Sequence, residues 1–282
     1  MLHKKIAFGV NLFSKSERTT LAVESYLKLK DKYPESIDLY NIQFVNKELK
    51  FRNEEGFKVY HCLEESSQQY IEGHSKKTLP MTKECFDRMS QLNYEYFIFT
   101  NDDIIVSDRY IKFILETNYD CYPASRLAIE PINTLSEAVI VKNHYQVAGF
   151  DTFCIRNKWW QDNKKYFPTY ILGHPCWDVH YATLCMQLGN STLCNKWPPP
   201  TFHQIHNSDW QNKSCPETDY NYKVFWKPFK FDSDMWHNYL FNVLLKRPGA
   251  NYCTPHKDEL NLEKQYFSKK WFNENYRAYN SG

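Results

Sequence analysis

Short apolar blocks alternate with amphipathic stretches through the first hundred residues. Residues 5–8 read as a first strand, and the polar stretch 14–18 as the loop behind it. A helix is expected from Thr19 or Thr20, either of which suits an N-cap, with Ala22, Tyr26 and Leu29 on its buried face. Residues 37–42 and 58–63 read as the next two strands. Met81-Thr82 opens a second helix with Cys85, Met89 and Leu92 inward. The run 94–100 (YEYFIFT) is a strand, and Ser107-Asp108 caps a helix carrying Ile111, Ile114 and Leu115. The order β-α-β-β-α-β-loop-α indicates an α/β sheet sandwiched by helices.

Beyond residue 120 the pattern is less regular. Residues 127–131 and 146–155 look like strands and loops. A helix is expected over 178–188, with Tyr181, Leu184, Cys185 and Leu188 on one face. The stretch 196–222, with Pro198-Pro199-Pro200 and many Asn and Ser residues, reads as loop. Two helices close the chain. One spans 234–246, with Trp236, Tyr239, Leu240, Val243 and Leu244 inward, and stops at Pro248-Gly249. The other opens at Thr254-Pro255, an N-cap and a proline at the first helical position.

Composition removes whole function classes. Eight of 282 residues are glycine, and neither G-x-G-x-x-G nor G-x-x-x-x-G-K-[ST] occurs, so phosphate must be held by a metal or by basic side chains. A net charge of +2 argues against nucleic acid as a partner. No apolar run reaches bilayer length, and the N-terminus reads as a strand rather than a signal peptide, so a cytoplasmic location is expected. Nine cysteines without a C-x-x-C pair suggest reduced, buried thiols and argue against a zinc cluster. Aromatic residues make up 17% of the chain, a supply for cores but also for stacking on sugars and bases.

Four clusters could carry chemistry. In FIFTNDDII a strand ends in Asn101, Asp102 and Asp103, and carboxylates beyond the carboxyl end of a strand suit Mg²⁺ or Mn²⁺. A turn, with one Asp capping the next helix, is the plain alternative. Gly149-Phe150-Asp151 combines close backbone approach with an acceptor for hydroxyls, or is a simple β-turn. Asp178, after Trp177, is a helix N-cap or a carboxylate able to take a proton from a hydroxyl. His203-Gln204-Ile205-His206 puts its histidines on opposite faces if it is a regular strand, so one of them is the candidate ligand. Arg18, Lys76, Lys77 and Arg126 are the basic candidates for a diphosphate, with 75–81 leading into a helix N-terminus.

Taken in order, these clusters resemble GT-A-type nucleotide-sugar glycosyltransferases over residues 5–210. FIFTNDDII looks like the family's D-x-D metal motif with Asn101 in place of the first acid. GFDTF and GHPCWD look like its acceptor and donor-sugar loops, and HQIH looks like its late histidine. The resemblance implies an α/β/α Rossmann-type sandwich with a mixed central sheet, a catalytic domain over 1–233 and a helical extension over 234–282. A nucleotide-binding half over about 1–106 and an acceptor half over 107–233 would make up that domain. It implies a hexosyl or related transferase that moves sugar from a nucleoside diphosphate sugar to a glycan, glycolipid or protein hydroxyl. Mn²⁺ or Mg²⁺ would sit on Asp103 with His203 or His206, beside Asp102 and Asn101. Arg18, Lys76 and Lys77 would support the nucleotide. Asp178 would be the base of an inverting reaction, Asp151 would position hydroxyls, and exposed Trp177 and Trp210 would stack on sugar. Peripheral membrane contact fits a lipid-linked acceptor. An inactive nucleotide-sugar-binding domain is the main alternative and a nucleotidyltransferase a lesser one.

Overall fold

The computed structural model describes residues 4–13, 15–46, 51–71, 77–138, 144–146, 149–194, 200–206 and 215–226. The expected helices over 234–246 and after Thr254 lie outside these residues, as do Lys76 and Trp210. Ten strands and eight helices are described. The strands are β1 (Ile6–Val10), β2 (Ile37–Phe44), β3 (Lys58–Leu63), β4 (Tyr96–Thr100), β5 (Ile104–Val106), β6 (Cys121–Ala124), β7 (Arg126–Ile129), β8 (His144–Gln146), β9 (Thr152–Arg156) and β10 (Thr201–Gln204). The helices are α1 (Glu17–Lys32), α2 (Ser67–Tyr70), α3 (Thr82–Gln91), α4 (Asp108–Glu116), α5 (Leu135–Ala138), α6 (Asn157–Asn163), α7 (Trp177–Leu188) and α8 (Pro216–Trp226).

A six-stranded mixed sheet in the order β3-β2-β1-β4-β9-β6 forms the centre. Strands β1 to β4 run parallel, and β9 is antiparallel to both β4 and β6. The side-chain period of two then splits the core. Ile6, Phe8, Val10, Tyr96 and Ile98 face one layer with Tyr26 of α1 and Ile111 and Ile114 of α4. Ala7, Phe97 and Phe99 face the other, with Phe86 and Met89 of α3, Trp160 of α6 and Trp177 and Tyr181 of α7. The result is an α/β/α sandwich. Gly9 permits this close layer, since a Cβ there would stand 2.3 Å from Met89 Sδ.

The second layer is aromatic. Phe86 lies 5.3 Å, centroid to centroid, from Phe99, Trp160 and Tyr181, and 5.8 Å from Phe97 and Phe153. Most of the aromatic excess on described elements is spent here and in the opposite layer rather than on an open surface.

Several boundaries differ from the sequence reading. The N-cap of helix α1 is Ser16 rather than Thr19 or Thr20, accepting from the Thr19 amide at 3.2 Å while Thr19 Oγ1 accepts from the Ser16 amide at 2.9 Å, so the helix opens at Glu17. Helix α7 starts at Trp177, so Asp178 lies inside its first turn and Cys176 is the N-cap. The expected loop over 196–222 contains β10 and the start of α8. Strand β10 builds a second sheet, β5-β10-β7-β8, against the carboxyl end of β4.

Candidate functional site

The site forms where β4 leaves the central sheet. Thr100 Oγ1 meets Thr152 Oγ1 at 2.7 Å, and the Asn101 amide donates to Asp151 O at 3.2 Å, which locks the end of β4 to β9. The chain then turns through residues 101–103 into β5. Tyr26, buried in α1, pins that turn by donating its hydroxyl to Ile104 O at 2.6 Å and Asn101 O at 3.1 Å. Burial, and then the nearby Asp102 and Asp103 charges, push the Tyr26 phenol up, so it stays a donor.

Asp103 faces β10, whose residue His203 pairs in register with Ile104. His203 Nε2 and His206 Nε2 both stand 3.3 Å from Asp103 Oδ2. The strand ends at Gln204, so the alternation that would send His206 to the far face stops before reaching it. Both histidines therefore converge on one carboxylate oxygen rather than parting to opposite faces as a regular strand would have them. Burial alone would raise the Asp103 carboxyl, but hydrogen bonds and charge from the two imidazoles hold it far below the usual range. Its neighbour goes the other way. Burial and the Asp103 charge lift Asp102 to about 7, against backbone hydrogen bonds and the Arg18 charge.

A second cluster lies beside the first. Arg126, at the start of β7, forms an ion pair with Asp151, and Asn101 Nδ2 donates to the other Asp151 oxygen at 2.8 Å. This explains the amide at the head of the NDD run: an aspartate there would face Asp151 with no proton to share. The Arg126 guanidinium also rests on Gly149, where a Cβ would stand 2.7 Å from Nε. Asp178 completes the group, its Oδ2 accepting from the Phe150 amide at 3.1 Å. Burial, then the Asp151 charge, raises Asp178 to about 6, with Arg126 and backbone amides opposing.

Asn101 Oδ1, Arg18 Nε and Arg126 Nε are buried polar atoms without a hydrogen-bond partner. Such atoms are costly unless something binds them. Arg18 is half-buried near enough for its charge to act on Asp102. Lys77 is exposed, and its carbonyl accepts the Ser67 hydroxyl at 2.7 Å. Trp177 does not offer a stacking surface: it is 2% exposed, with its ring 5.5 Å from Phe153 and 5.9 Å from Tyr181. The spacing Trp177, Tyr181, Leu184, Leu188 carried that signal, since it is one helix face. Arg126 was visible only as a basic residue; its service to two carboxylates depends on the starts of β7 and β9 lying together, where the Arg126 amide donates to Gly149 O at 3.1 Å.

The Asp103, His203 and His206 donors suit a divalent cation. Metal–ligand distances near 2.1 Å place neighbouring ligand atoms roughly 3.0–3.4 Å apart, and the observed 3.3 Å falls inside that range. A charge-assisted hydrogen bond would be shorter, about 2.7–2.9 Å. Among the described residues no helix is long and apolar enough to cross a membrane.

No family model matches the chain, and no curated protein does. Solved structures do. The mannosyltransferase PcManGT from Pyrobaculum calidifontis, in complex with GDP-Man and Mn²⁺, is 7% identical with a TM-score of 0.43, covering 100% of this chain and 84% of that one. The galactosyltransferase LgtC, in complex with donor and acceptor sugar analogs, is 8% identical with a TM-score of 0.37, covering 83% of this chain and 99% of that one. The apo-form glycosyltransferase GlyE of Streptococcus pneumoniae TIGR4 is 12% identical with a TM-score of 0.37, covering 87% and 65%. At these values the chemistry has to be read from the side chains of this chain itself.

Proposed function

We propose that the protein is a divalent-metal-assisted glycosyltransferase that moves a sugar from a nucleoside diphosphate sugar to an acceptor hydroxyl. One observation carries this reading. Asp103, His203 and His206 converge at the carboxyl end of a central parallel strand, beside a carboxylate raised into the range of a general base. Ligands of open α/β sheets bind at that end.

Asp103, His203 and His206 would hold the cation. Two imidazole nitrogens beside one carboxylate favour Mn²⁺ over Mg²⁺, which prefers an all-oxygen shell. A bound ion there would offset the charge that builds on the departing diphosphate. Arg18, whose Nε is buried and without a hydrogen-bond partner, would donate to donor phosphate oxygens, and Lys76 and Lys77 would share that role. Asp151, gripped by Asn101 and Arg126, presents a fixed edge for hydroxyls of the bound sugars. Asp178 accepts the proton of the attacking hydroxyl, and a single displacement by that hydroxyl opposite the diphosphate would invert the anomeric centre. The acceptor is a hydroxyl of a glycan, glycolipid or protein. Trp177 has no part in sugar stacking, because the core holds it.

The test is a donor panel of UDP, GDP and dTDP sugars with and without Mn²⁺, followed by product analysis. Mn²⁺-dependent transfer or hydrolysis that is lost in Asp103→Ala supports the reading. Binding without turnover by any donor would leave a nucleotide-sugar-binding domain in its place.

A further inference from the structure

A second donor cluster lies away from the Asp103 site. His174 is in the loop before α7, and Cys215 and Glu217 are at the start of α8. Cys215 Sγ stands 3.6 Å from His174 Nδ1 and 3.3 Å from Glu217 Oε2. His174 and Glu217 are 6% and 5% exposed, while Cys215 is half-buried. We propose that His174, Cys215 and Glu217 form a zinc site that fastens the loop leading to Asp178 to the start of α8.

The donor chemistry and the spacing agree. Zinc bonds of about 2.3 Å to sulfur and about 2.0–2.2 Å to nitrogen or oxygen, at tetrahedral angles, put sulfur roughly 3.5 Å from each of the other ligands. Both observed separations lie within about 0.3 Å of that. A thiolate, an imidazole and a carboxylate together select zinc over the harder ions suited to the Asp103 group. Cys215 precedes Pro216, the first helical residue, so a thiolate there meets the positive end of α8. Without the ion, the thiol donates to Glu217, and His174 Nδ1 meets Thr218 Oγ1 at 3.1 Å. The spacing rule that argued against zinc sees only paired ligands close in sequence; this set joins residues 41 positions apart.

The fastening has a purpose in the fold. One turn beyond Glu217, Asn221 grips the same loop, accepting from the Ile171 amide at 2.8 Å and donating to Ile171 O and Pro175 O at 3.0 Å each. The loop passes through Gly173 at φ 79° and Cys176 at φ 85°, a left-handed conformation that is unfavourable for a non-glycine residue such as Cys176. Asn221 holds both ends of this turn from one side, and the zinc would close it at His174, just ahead of Asp178.

The proposal is tested on the whole 282-residue chain, stripped with a chelator and then titrated with Co²⁺ as a spectroscopic substitute for zinc. The wild type and Asp103→Ala are expected to show sulfur-to-cobalt charge-transfer absorption, and Cys215→Ser to lack it. Metal analysis of the purified proteins should show one zinc per chain lost in Cys215→Ser and kept in Asp103→Ala. A spectrum without the band in the wild type, or a band that survives in Cys215→Ser, overturns the proposal. A measurement that needs no variant guards against misfolding: zinc should slow alkylation of Cys215, followed on its peptide, by about tenfold or more. Equal rates with zinc and with chelator also overturn it.

Discussion

Two carboxylate clusters stand side by side at the end of β4, and they are neutralised in different ways. Asp151 has a permanent counter-charge in Arg126 and a neutral donor in Asn101. Among the described residues Asp103 has two imidazoles as its ion-pair partners, both on Oδ2. Asp151 thus has its counter-charge and its neutral donor fixed in place, whereas Asp103 shares one oxygen with two ring nitrogens, each at 3.3 Å, that are themselves metal-ligand types. The difference teaches which cluster needs a partner. On the proposed function, Asp103 with its histidines takes the cation, and Asp151 with Arg126 keeps its shape and lends its field to Asp178.

Removing the two functions separately is the strongest way to break this comparison. Asp103→Ala is expected to lower transfer by roughly 10³-fold or more and to abolish Mn²⁺ dependence, because the cation loses its carboxylate ligand. Asp178→Asn is expected to lower kcat by roughly 10²–10⁴-fold while leaving Mn²⁺ binding intact. Steady-state kinetics and Mn²⁺ titration of both variants check this. A Mn²⁺ affinity that falls equally in both would merge the two clusters into one.

Arg126→Met tests the permanent counter-charge. It leaves the buried Asp151 with Asn101 as its only described donor, and should cost about 3–5 kcal/mol of stability. The thermal midpoint reads this without any substrate. Asn101→Asp is milder, at about 1–3 kcal/mol, since one donor to Asp151 becomes a like charge. If Asn101→Asp instead left stability unchanged and tightened Mn²⁺ binding, the amide would belong to the metal side of the comparison.

The sequence shows one cluster better than the other, for a physical reason. Residues 96–99 form a compact apolar block inside the 94–100 strand, so β4 and the acids at its end are legible together. The parallel strands before it are equally plain. Strands β5, β7 and β10 have three or four residues each, too few for a period of two to rise above noise. Without them His206 falls on the wrong face and Arg126 has no visible partner. Trp177 misled for another reason. Its place beside an acid at a helix start suggests a site, while its helical spacing to Tyr181 points to the core, and the core won. His174 and Cys215 meet only through tertiary packing of the α8 start on the loop before α7, which no local pattern records.

The smallest effect sharpens the second cluster by pH. Asp178 has a folded value near 6 against 3.8 in the ordinary state, so the folded protein binds this proton more tightly than the unfolded chain. Its contribution to stability is therefore fully present below pH about 4 and declines as pH rises toward about 6, then stays level. Catalysis has the opposite sign. A general base must be ionised, so kcat should rise through the same interval and level off above it. The protein is then expected to gain activity over the pH range in which this carboxyl gives up its stabilising proton. Denaturant unfolding across pH 4–7 and the pH profile of kcat read the two limbs independently. Asp178→Asn should flatten the first, because an amide neither gains nor loses a proton there. A stability slope that persists in Asp178→Asn would assign that proton to another group, and would remove the basis for Asp178 as the base.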